Sequence, residues 1–457
     1  MKHWNQLLYD RAPWAIRERF VALEARRRNR YRRYGDYESC KHAYRFERYA
    51  EQSLAQQRQA QAERLLQLLT QARSRSDFYR ERIPAACADA SVLGAIPVLT
   101  KLDIREHADR IVDPLYPREH LWHGVTSGST GTPLRFRVGR EGIRARTAIQ
   151  DNYYGLHGCR YGEPRLRFGG ARIVPVHVRR PPFWIYNAPD NQLQMSAYHI
   201  DRTSLPHYVR KIEAFGPRYV TGYAHALYQV GQYLDEIGGL VAPPRALFTD
   251  SEGLPAEYHA TIERGFSGPS YDVYGLGEVG WVAVQCRRYR YHVLELSCVL
   301  EVLDAAGRAL PPGEAGRLVV TDLTQSAFPY IRYDTGDVGA LAVESCDCGM
   351  QTRVLAGIEG RSDDLIVTPR GRQVGRLSHV TKPGRGIQES QIAQTEADRI
   401  VIRVVPAPSF DRGSMEDVVR VAHALLGDDM RVDWELVEAI PRTRLHKFKH
   451  VVREYES

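Results

Sequence analysis

Between residues 97 and 330, short runs of β-branched or aromatic residues alternate with longer segments of helical periodicity. LRFRV (134–138) and RYVTGY (218–223) are strand-like, whereas PHYVRKIEAF (206–215) and ALYQVGQYLDEI (226–237) are helix-like. Such alternation is typical of helices packed on the faces of a sheet, because each helix must bury its apolar stripe against a neighbouring layer. The sequence therefore predicts a large α/β domain of several layers.

The segments that flank this region have other patterns. Residues 1–95 are predicted to form a helical lead-in belonging to the large domain, since 51–75 is rich in Ala, Gln, Leu and Arg. Strand runs separated by Gly- and Pro-containing turns predict a β subdomain near 285–355. The turn sequence GRSDD then precedes a strand–helix–strand pattern. We therefore predict a boundary near 360, with the main body of the large domain over 96–360 and a small α+β domain over 361–457.

Composition and charge narrow the classes of function. Hydrophobic residues make up 43% of the chain and charged residues 26%, as in ordinary globular proteins. No apolar run approaches the ~20 residues of a membrane span, and the N-terminus lacks the pattern of a signal peptide, so the cytoplasm is the expected location. Much of the net charge of +8 lies in RRRNRYRR at 26–33. That segment fits a solvated helix face or contact with an anionic membrane surface, and no motif for nucleic acid accompanies it.

A loop rich in Ser, Thr and Gly, TSGSTGTP at 126–133, has the composition of a phosphate-binding segment. Glycines let backbone N–H groups approach an anion, and the hydroxyls add further donors. The loop lacks the Gly-Lys-Ser/Thr ending of a P-loop and the glycine spacing of a dinucleotide fold. By itself it fits a phosphate site or a polar surface turn equally well.

Four further segments contain groups suited to a nucleotide site. YDVYGLGE (271–278) brings an aromatic ring, which can stack on a purine, close to a carboxylate, which can bind Mg²⁺. IRYDTGD (331–337) ends in an aspartate that can accept hydrogen bonds from two ribose hydroxyls. GRSDD (360–364) and the lysine-bearing tail IPRTRLHKFKH (440–450) follow. Each segment alone also fits ordinary structure, such as a core aromatic, a polar hairpin or a basic tail.

Taken in order, the five segments resemble the motifs of the adenylate-forming superfamily, and most closely the phenylacetate–CoA ligase-like family in its capsular polysaccharide biosynthesis branch. The resemblance covers nearly the whole chain, because QLLTQARSRSDFYRERI, IPVLTKLDIREH and FTDSEGL also match segments of that family. It implies a large N-terminal domain with a mobile C-terminal lid. It also implies that ATP and Mg²⁺ convert a small carboxylic acid into an acyl-adenylate, with release of pyrophosphate.

The resemblance assigns the nucleotide to particular residues. Ser251 and Glu252 would lie beside the adenine, and Tyr274, followed by Gly275, would stack on it. Asp337 would bind the ribose hydroxyls. The phosphates of ATP would be held by Thr126, Ser127, Gly128, Ser129, Thr130, Gly131 and Thr132.

The catalytic and hinge roles fall on other residues of the same motifs. Glu278 would hold Mg²⁺, and Arg361 would contact the ribose and phosphate. Asp363 would be the hinge of the lid. Lys447 would stabilise the adenylation transition state, with Lys449 as a rival because histidine, rather than the family's usual glycine, precedes Lys447.

Four residues form a possible metal site. Cys286 and His292, then Cys346 and Cys348, supply three thiolates and one imidazole, the ligands of a closed tetrahedral zinc site. The spacing is not that of a standard zinc finger, so the residues alone also fit reduced, packed cysteines. Relatives that this chain resembles carry Cys and His at these places, which implies a structural Zn²⁺. Cys298 is expected in the core.

Two questions stay open from the residues. LIVTPRGRQVGRLSHVTK, after the hinge, departs from the loop that receives coenzyme A in the family, so the acyl acceptor is coenzyme A, an amine or a carrier protein. The product would serve surface polysaccharide or secondary-metabolite biosynthesis, and a homodimer is the commonest assembly for such an enzyme. The alternative is a catalytically silent scaffold that binds nucleotide or acyl groups. Candidate walls of the acid pocket are Phe183, Trp184, Tyr186, Tyr223 and His225.

Overall fold

The structure is a computed structural model. It describes residues 9–85, 90–125, 134–175, 177–251, 254, 256–359, 366–371, 373–374, 377, 380–381, 383–440 and 451–455.

Helices dominate the first part of the chain and then alternate with strands, as the sequence predicts. The segment predicted over 51–75 begins at a capping box in which Ser53 and Gln56 satisfy each other's backbone N–H groups. The helices are Trp14–Arg32 (α1), Tyr37–Ala43 (α2), Glu47–Glu51 (α3), Leu54–Arg75 (α4), Asp77–Arg82 (α5), Lys101–Ile111 (α6), Arg140–Leu156 (α7), Leu205–Phe215 (α8), Ala224–Ile237 (α9), Ala256–Phe266 (α10) and Met415–Leu426 (α11).

The strands form one large sheet and three smaller ones within the described residues. The first strands are Trp122–Val125 (β1), Arg135–Val138 (β2), Arg165–Gly169 (β3), Trp184–Asn187 (β4), Gln192–Ser196 (β5), Tyr219–Gly222 (β6), Ala246–Asp250 (β7), Ser270–Leu276 (β8), Gly280–Gln285 (β9) and Tyr291–Val293 (β10). The later ones are Cys298–Leu303 (β11), Gly316–Asp322 (β12), Tyr333–Leu341 (β13), Val354–Glu359 (β14), Ile366–Val367 (β15), Gln373–Val374 (β16), Arg385–Glu396 (β17), Arg399–Asp411 (β18), Arg431–Leu436 (β19) and Val451–Arg453 (β20).

The large sheet has two halves of different character. Its order is β11-β12-β13-β14-β10-β9-β8-β7-β6-β3-β5-β4. In this order, β5, β3, β6, β7 and β8 are parallel to one another. From β8 through β9, β10, β14, β13 and β12 to β11, each strand is antiparallel to the next. Only two residue pairs, Tyr291–Leu355 and His292–Val354, join β10 to β14. We call this junction the seam.

The cores follow this division. One apolar cluster packs helices α4, α5 and α6 against the antiparallel strands, and another packs α8 to α10 against the parallel strands. A third lies in the C-terminal part, where α11 covers the sheet β19-β18-β17-β20. The predicted α/β class, with a small α+β part after the large domain, is confirmed, while the boundary near 360 stays a prediction. No helix in the described part of the chain combines the length and apolar composition needed to cross a bilayer.

Candidate active site

The parallel strands bring their carboxyl ends to one edge of the sheet, the edge at which open α/β sheets bind ligands. Strands β6, β7 and β8 end there at Gly222, Asp250 and Leu276. Ser251 directly follows β7 and has a φ of 71°, which is rare for a residue other than glycine. Such strain persists where the surrounding structure imposes it, often at functional sites. Ser251 therefore lies at the carboxyl edge of the parallel strands, and its contact with adenine stays a prediction.

A hydrogen bond joins two of the residues assigned to the nucleotide. The Tyr274 hydroxyl on β8 donates to Asp337 Oδ2 on β13 at 2.9 Å. The Asp337 backbone N–H donates to Thr335 Oγ1 at 3.1 Å, which fixes the backbone position from which the Asp337 side chain extends. Tyr274 and Asp337 are both buried, with 9% and 8% of their surface exposed. The carboxylate assigned to the ribose is thus held in one orientation beside the ring assigned to adenine.

This contact shows that the large sheet coils back on itself. Strands β8 and β13 are separated in the sheet by β9, β10 and β14. In a flat sheet with a strand spacing of ~4.8 Å, they would lie about 19 Å apart. A hydrogen bond of 2.9 Å between Tyr274 and Asp337 requires the two strands to face each other across the inside of the coil. The site is therefore enclosed by antiparallel strands next to the carboxyl edge of the parallel ones.

Glu278 lies in the turn between β8 and β9 and is buried. Its Oε1 accepts a hydrogen bond of 2.7 Å from the Tyr333 hydroxyl on β13. Arg146 on α7 holds the turn from outside, because its guanidinium donates to the backbone carbonyls of Gly277 and Glu278 and pairs with Asp322 at 2.8 Å. The carboxylate is thus directed into the coil by fixed neighbours. A carboxylate oxygen is the ligand type that Mg²⁺ prefers, so the residue fits the ion assigned to it.

Gly275 has a structural reason to be glycine. The pairing of β8 with β9 shifts register between Tyr274 and Gly275. A Cβ atom at 275 would lie 2.6 Å from the Gly280 carbonyl oxygen and 2.8 Å from Trp281 Cα. Both are backbone atoms, so the neighbouring strand would have to move. The close approach of β9 at this position keeps Tyr274 and Glu278 on either side of the bulge.

Sequence reasoning missed Arg146, Tyr333 and Asp322. Tyr333 lies four residues before Asp337 in the segment IRYDTGD. Residues an even number of positions apart share one face of a strand, so this spacing could have predicted that Tyr333 lines the same site. Arg146 had no local signal, because its partner Glu278 is 132 residues away.

Several predicted site residues lie outside the described part of the chain. They are Thr126, Ser127, Gly128, Ser129, Thr130, Gly131, Thr132, Glu252, Arg361, Asp363, Lys447 and Lys449.

The four predicted metal ligands are brought together at the seam. One ligand atom from each of Cys286, His292, Cys346 and Cys348 lies within 4.8 Å of every other. The Cys286 and Cys346 sulfurs are 3.8 Å apart, and Cys348 Sγ lies 3.3 Å from His292 Nε2. Two of the ligands lie at the end of β9 and on β10, and the other two lie in the connection from β13 to β14.

The surroundings of His292 suit a metal ligand. Its Nδ1 lies 2.9 Å from Thr352 Oγ1, which itself donates to the Arg353 carbonyl at 3.2 Å. When the hydroxyl proton is on this carbonyl, the hydroxyl oxygen can accept from an Nδ1–H group, and that tautomer leaves the Nε2 lone pair directed at the sulfurs. Burial lowers the pKa of His292 to about 4 and raises the pKa of Cys348 to about 12. A neutral imidazole is ready to bind a cation, and a bound cation would favour the ionised form of the Cys348 thiol.

A cavity of about 1070 Å³ lies between the large domain and the C-terminal part. On one side it is lined by loops that follow β3 and β5, including Arg179, Arg180 and Phe183, and on the other by residues such as Arg370 and His423. Of the five aromatic and histidine residues predicted as pocket walls, Phe183 lines this cavity, and Trp184, Tyr186, Tyr223 and His225 do not.

Comparisons with known proteins cover most of the chain. Residues 366–454 match the family described as CapK C-terminal domain. Protein CapK of Staphylococcus aureus is 26% identical over 384 residues, which cover 80% of this chain and 83% of that protein. Phenylacetate-coenzyme A ligase of Thermus thermophilus is 26% identical over 330 residues, covering 68% and 71%.

Among solved structures, the fold is similar to that of 2-hydroxyisobutyryl-CoA ligase in complex with 2-HIB-AMP and CoA in the thioesterification state. The TM-score is 0.58 at 20% sequence identity, over 90% of this chain and 93% of that chain. The same ligase in the postadenylation state gives a TM-score of 0.53 at 21% identity, over 86% and 88%. The likeness establishes a shared fold.

Proposed function

We propose that this chain, which is similar to protein CapK and to phenylacetate-coenzyme A ligases over most of its length, is an adenylate-forming enzyme that activates a small carboxylic acid with ATP. The acid would become an acyl-adenylate, and the acyl group would pass to coenzyme A or to an amine. The observation that carries this proposal is the pairing of Tyr274 with Asp337, and of Tyr333 with Glu278, inside the coil. These two buried carboxylates supply a ribose acceptor and a cation ligand in one enclosed space.

The chemistry asks the protein mainly for position and charge neutralisation. A carboxylate oxygen of the acid attacks the α-phosphorus of ATP, a P–O bond to the β-phosphate breaks, and pyrophosphate leaves. Asp337 would orient the nucleotide by accepting from the ribose hydroxyls. Mg²⁺ bound at Glu278 would neutralise phosphate charge, and residues 126–132 with Lys447 would add donors as charge moves to pyrophosphate. Burial of the site supports this reaction, because water would hydrolyse the mixed anhydride.

The second step needs access for the acyl acceptor. The cavity between the two parts of the chain opens at the ends of β3 and β5, at the same sheet edge as β7 and β8. In this proposal the acceptor enters there. Movement of the C-terminal part about Asp363 would convert the site from the conformation for adenylation to the conformation for acyl transfer. Because ATP is the co-substrate, we expect the reaction in the cytoplasm, in a route to surface polysaccharide or a secondary metabolite.

The cluster of Cys286, His292, Cys346 and Cys348 would hold a structural Zn²⁺. Four protein ligands leave no coordination position for substrate, so the ion would stabilise the seam and take no part in the reaction. Metal analysis of the purified protein should find about one zinc per chain if all four ligands serve one ion.

The proposal is tested by ATP–pyrophosphate exchange across a panel of aromatic acids, amino acids and uronic acids. Exchange with at least one acid, lost in Lys447→Ala and kept in Lys449→Ala, is the expected result. The opposite pattern in the two lysine variants would transfer the catalytic role to Lys449. If the protein binds ATP but exchanges with no acid, the scaffold alternative replaces the ligase.

The acceptor is identified in a second measurement, once an active acid is known. Consumption of the acid is followed with coenzyme A alone and with amino sugars or amino acids alone. Formation of a thioester or of an amide separates the two forms of the proposal.

A further inference from the structure

The outward face of helix α1 combines exposed apolar side chains with dense positive charge. Residues 14–33 contain eight arginines and two glutamates, a net charge of +6 in a chain whose total is +8. Ile16 is 53% exposed, Phe20 36% and Leu23 66%. Positions i, i+4 and i+7 share one face of a helix, so these three side chains form a single apolar stripe at the start of α1.

The opposite face of α1 fixes how the helix lies on the protein. Trp14 and Val21 pack against the buried cluster that contains Ile185, and Ala25 is buried. Asn29 Nδ2 donates to Asp190 Oδ1 at 2.7 Å. The helix is therefore anchored mainly through this face. Of the apolar stripe, Phe20 also contacts the Tyr9 ring of the same cluster at 5.6 Å between ring centroids, while Ile16 and Leu23 are the more exposed members.

The arginines of α1 divide into two groups. Arg33, just after the helix, is part of the fold, because it pairs with Asp151 at 2.9 Å and lies 3.6 Å from the centre of the Tyr161 ring. Arg19, Arg26 and Arg30 are exposed, and no carboxylate in the described part of the chain forms an ion pair with them. At 100° per residue, these three lie within about 80° of Ile16 around the helix axis. The uncompensated charge is therefore on the same side as the apolar stripe.

We propose that this outward face of α1 binds an anionic membrane surface. The guanidinium groups would contact lipid phosphates while Ile16, Phe20 and Leu23 enter the boundary between headgroups and acyl chains, as in helices that lie in the membrane interface. A soluble polyanion would use the arginines but would gain nothing from Ile16 and Leu23, and this difference favours a membrane. Asp10, close before α1, lines the large cavity, so the bound protein would hold that cavity near the lipid. The inference does not depend on the ligase reaction.

The test uses the whole chain and vesicles of phosphatidylcholine with about 30 mol% phosphatidylglycerol, against vesicles of phosphatidylcholine alone. We expect co-sedimentation with the anionic vesicles only. Binding should fall sharply between about 0.1 M and about 1 M NaCl, because the screening length falls from about 10 Å to about 3 Å.

Variants separate the charges from the apolar stripe. Arg19→Glu, Arg26→Glu and Arg30→Glu together should weaken vesicle binding at least about tenfold. The matched control is Arg58→Glu, Arg160→Glu and Arg218→Glu, which changes the total charge equally at exposed sites outside α1 and should bind within about twofold of the parent. Ile16→Ser with Leu23→Ser should weaken vesicle binding several-fold while binding to heparin stays the same.

Three results would overturn the proposal. The first is equal binding, or none, to both kinds of vesicle. The second is loss of heparin binding in the arginine variant together with unchanged vesicle binding in the serine variant, which would indicate a soluble polyanion. The third is a dimer that the serine variant dissociates, without vesicle binding, which would make α1 a contact between two copies of the chain.

Discussion

The hydrogen bond between Tyr274 and Asp337 predicts a specific kinetic effect. Asp337→Asn removes the charge that would accept from two ribose hydroxyls, and a hydrogen bond to a charged group contributes about 1.5–3 kcal/mol. We expect the KM for ATP in pyrophosphate exchange to rise about 10- to 100-fold. Asp334→Asn is the control on the same strand, since Asp334 pairs with Arg317 rather than facing Tyr274. An unchanged KM in Asp337→Asn would remove this residue from the nucleotide site.

Asp272, two residues before Tyr274 on β8, predicts a pH dependence of stability. Burial raises the pKa of its carboxyl from 3.8 to about 7, although the hydroxyls of Thr249 and Tyr291 donate to it. The folded state therefore holds the proton more tightly than the unfolded chain. Its contribution to stability is complete below about pH 4 and is lost as the pH rises through about 7.

Asp272→Asn isolates this contribution. From acidic to mildly alkaline pH, the free energy of unfolding of the parent should fall relative to that of the variant by up to about 4 kcal/mol. Chemical unfolding at a series of pH values measures the difference. A difference that is constant with pH would show that the pKa of Asp272 is the same in the folded protein as in the unfolded chain.

At the level of strands, the bulge between β8 and β9 predicts that an alanine at Gly275 destabilises the protein, whereas an alanine at Gly155, on a helix, stabilises it. Gly275→Ala places a Cβ atom 2.6 Å from the Gly280 carbonyl oxygen, so β9 must move and stability should fall by about 1–3 kcal/mol. Gly155→Ala on α7 meets nothing within 4 Å and should stabilise the protein by about 0.5–1 kcal/mol. Thermal unfolding compares them, and a neutral Gly275→Ala would contradict the close approach of the strands.

The seam between β10 and β14 predicts what loss of metal does. Only two residue pairs join these strands, and the Cys₃His cluster lies beside them. If the cluster holds the proposed zinc, Cys348→Ser should lose it and should speed amide hydrogen exchange in β9, β10 and β14, while exchange in β17 and β18 is unchanged. Cys40→Ser, a half-buried cysteine outside the cluster, should keep the zinc. An equal increase in amide hydrogen exchange across the chain would argue against local stabilisation of the seam by the metal.

Elements followed from local pattern more readily than the contacts between them. The segments predicted at 206–215 and 226–237 are α8 and α9, because apolar periodicity and glycine ends are local signals. Arg146 and Glu278 meet only because α7 packs beside the turn after β8, a contact that no local pattern encodes. The coil of the sheet could likewise not be predicted from the sequence, because it depends on which strands pair at the seam.

For the whole molecule, the proposed function predicts that a hinge at Asp363 separates the two proposed reaction steps. Proline at 363 would fix one backbone torsion and remove a donor. If the C-terminal part must turn about this residue, Asp363→Pro should keep pyrophosphate exchange within about tenfold of the parent and reduce product formation much further. Single-turnover measurements separate the steps. Equal loss in both steps would argue against a hinge at Asp363.

The strand order also bears on how the site arises during synthesis. Tyr274 on β8 leaves the ribosome 63 residues before Asp337 on β13, a delay of about 3–13 s at usual translation rates. During that interval β10 has an open edge, because its partner β14 has yet to be made. A chain released before residue 337 would carry Tyr274 without Asp337, its hydrogen-bond partner. Such fragments would lack one of the two carboxylates of the proposed site, and an unpaired β10 edge would make them targets for chaperones and proteases.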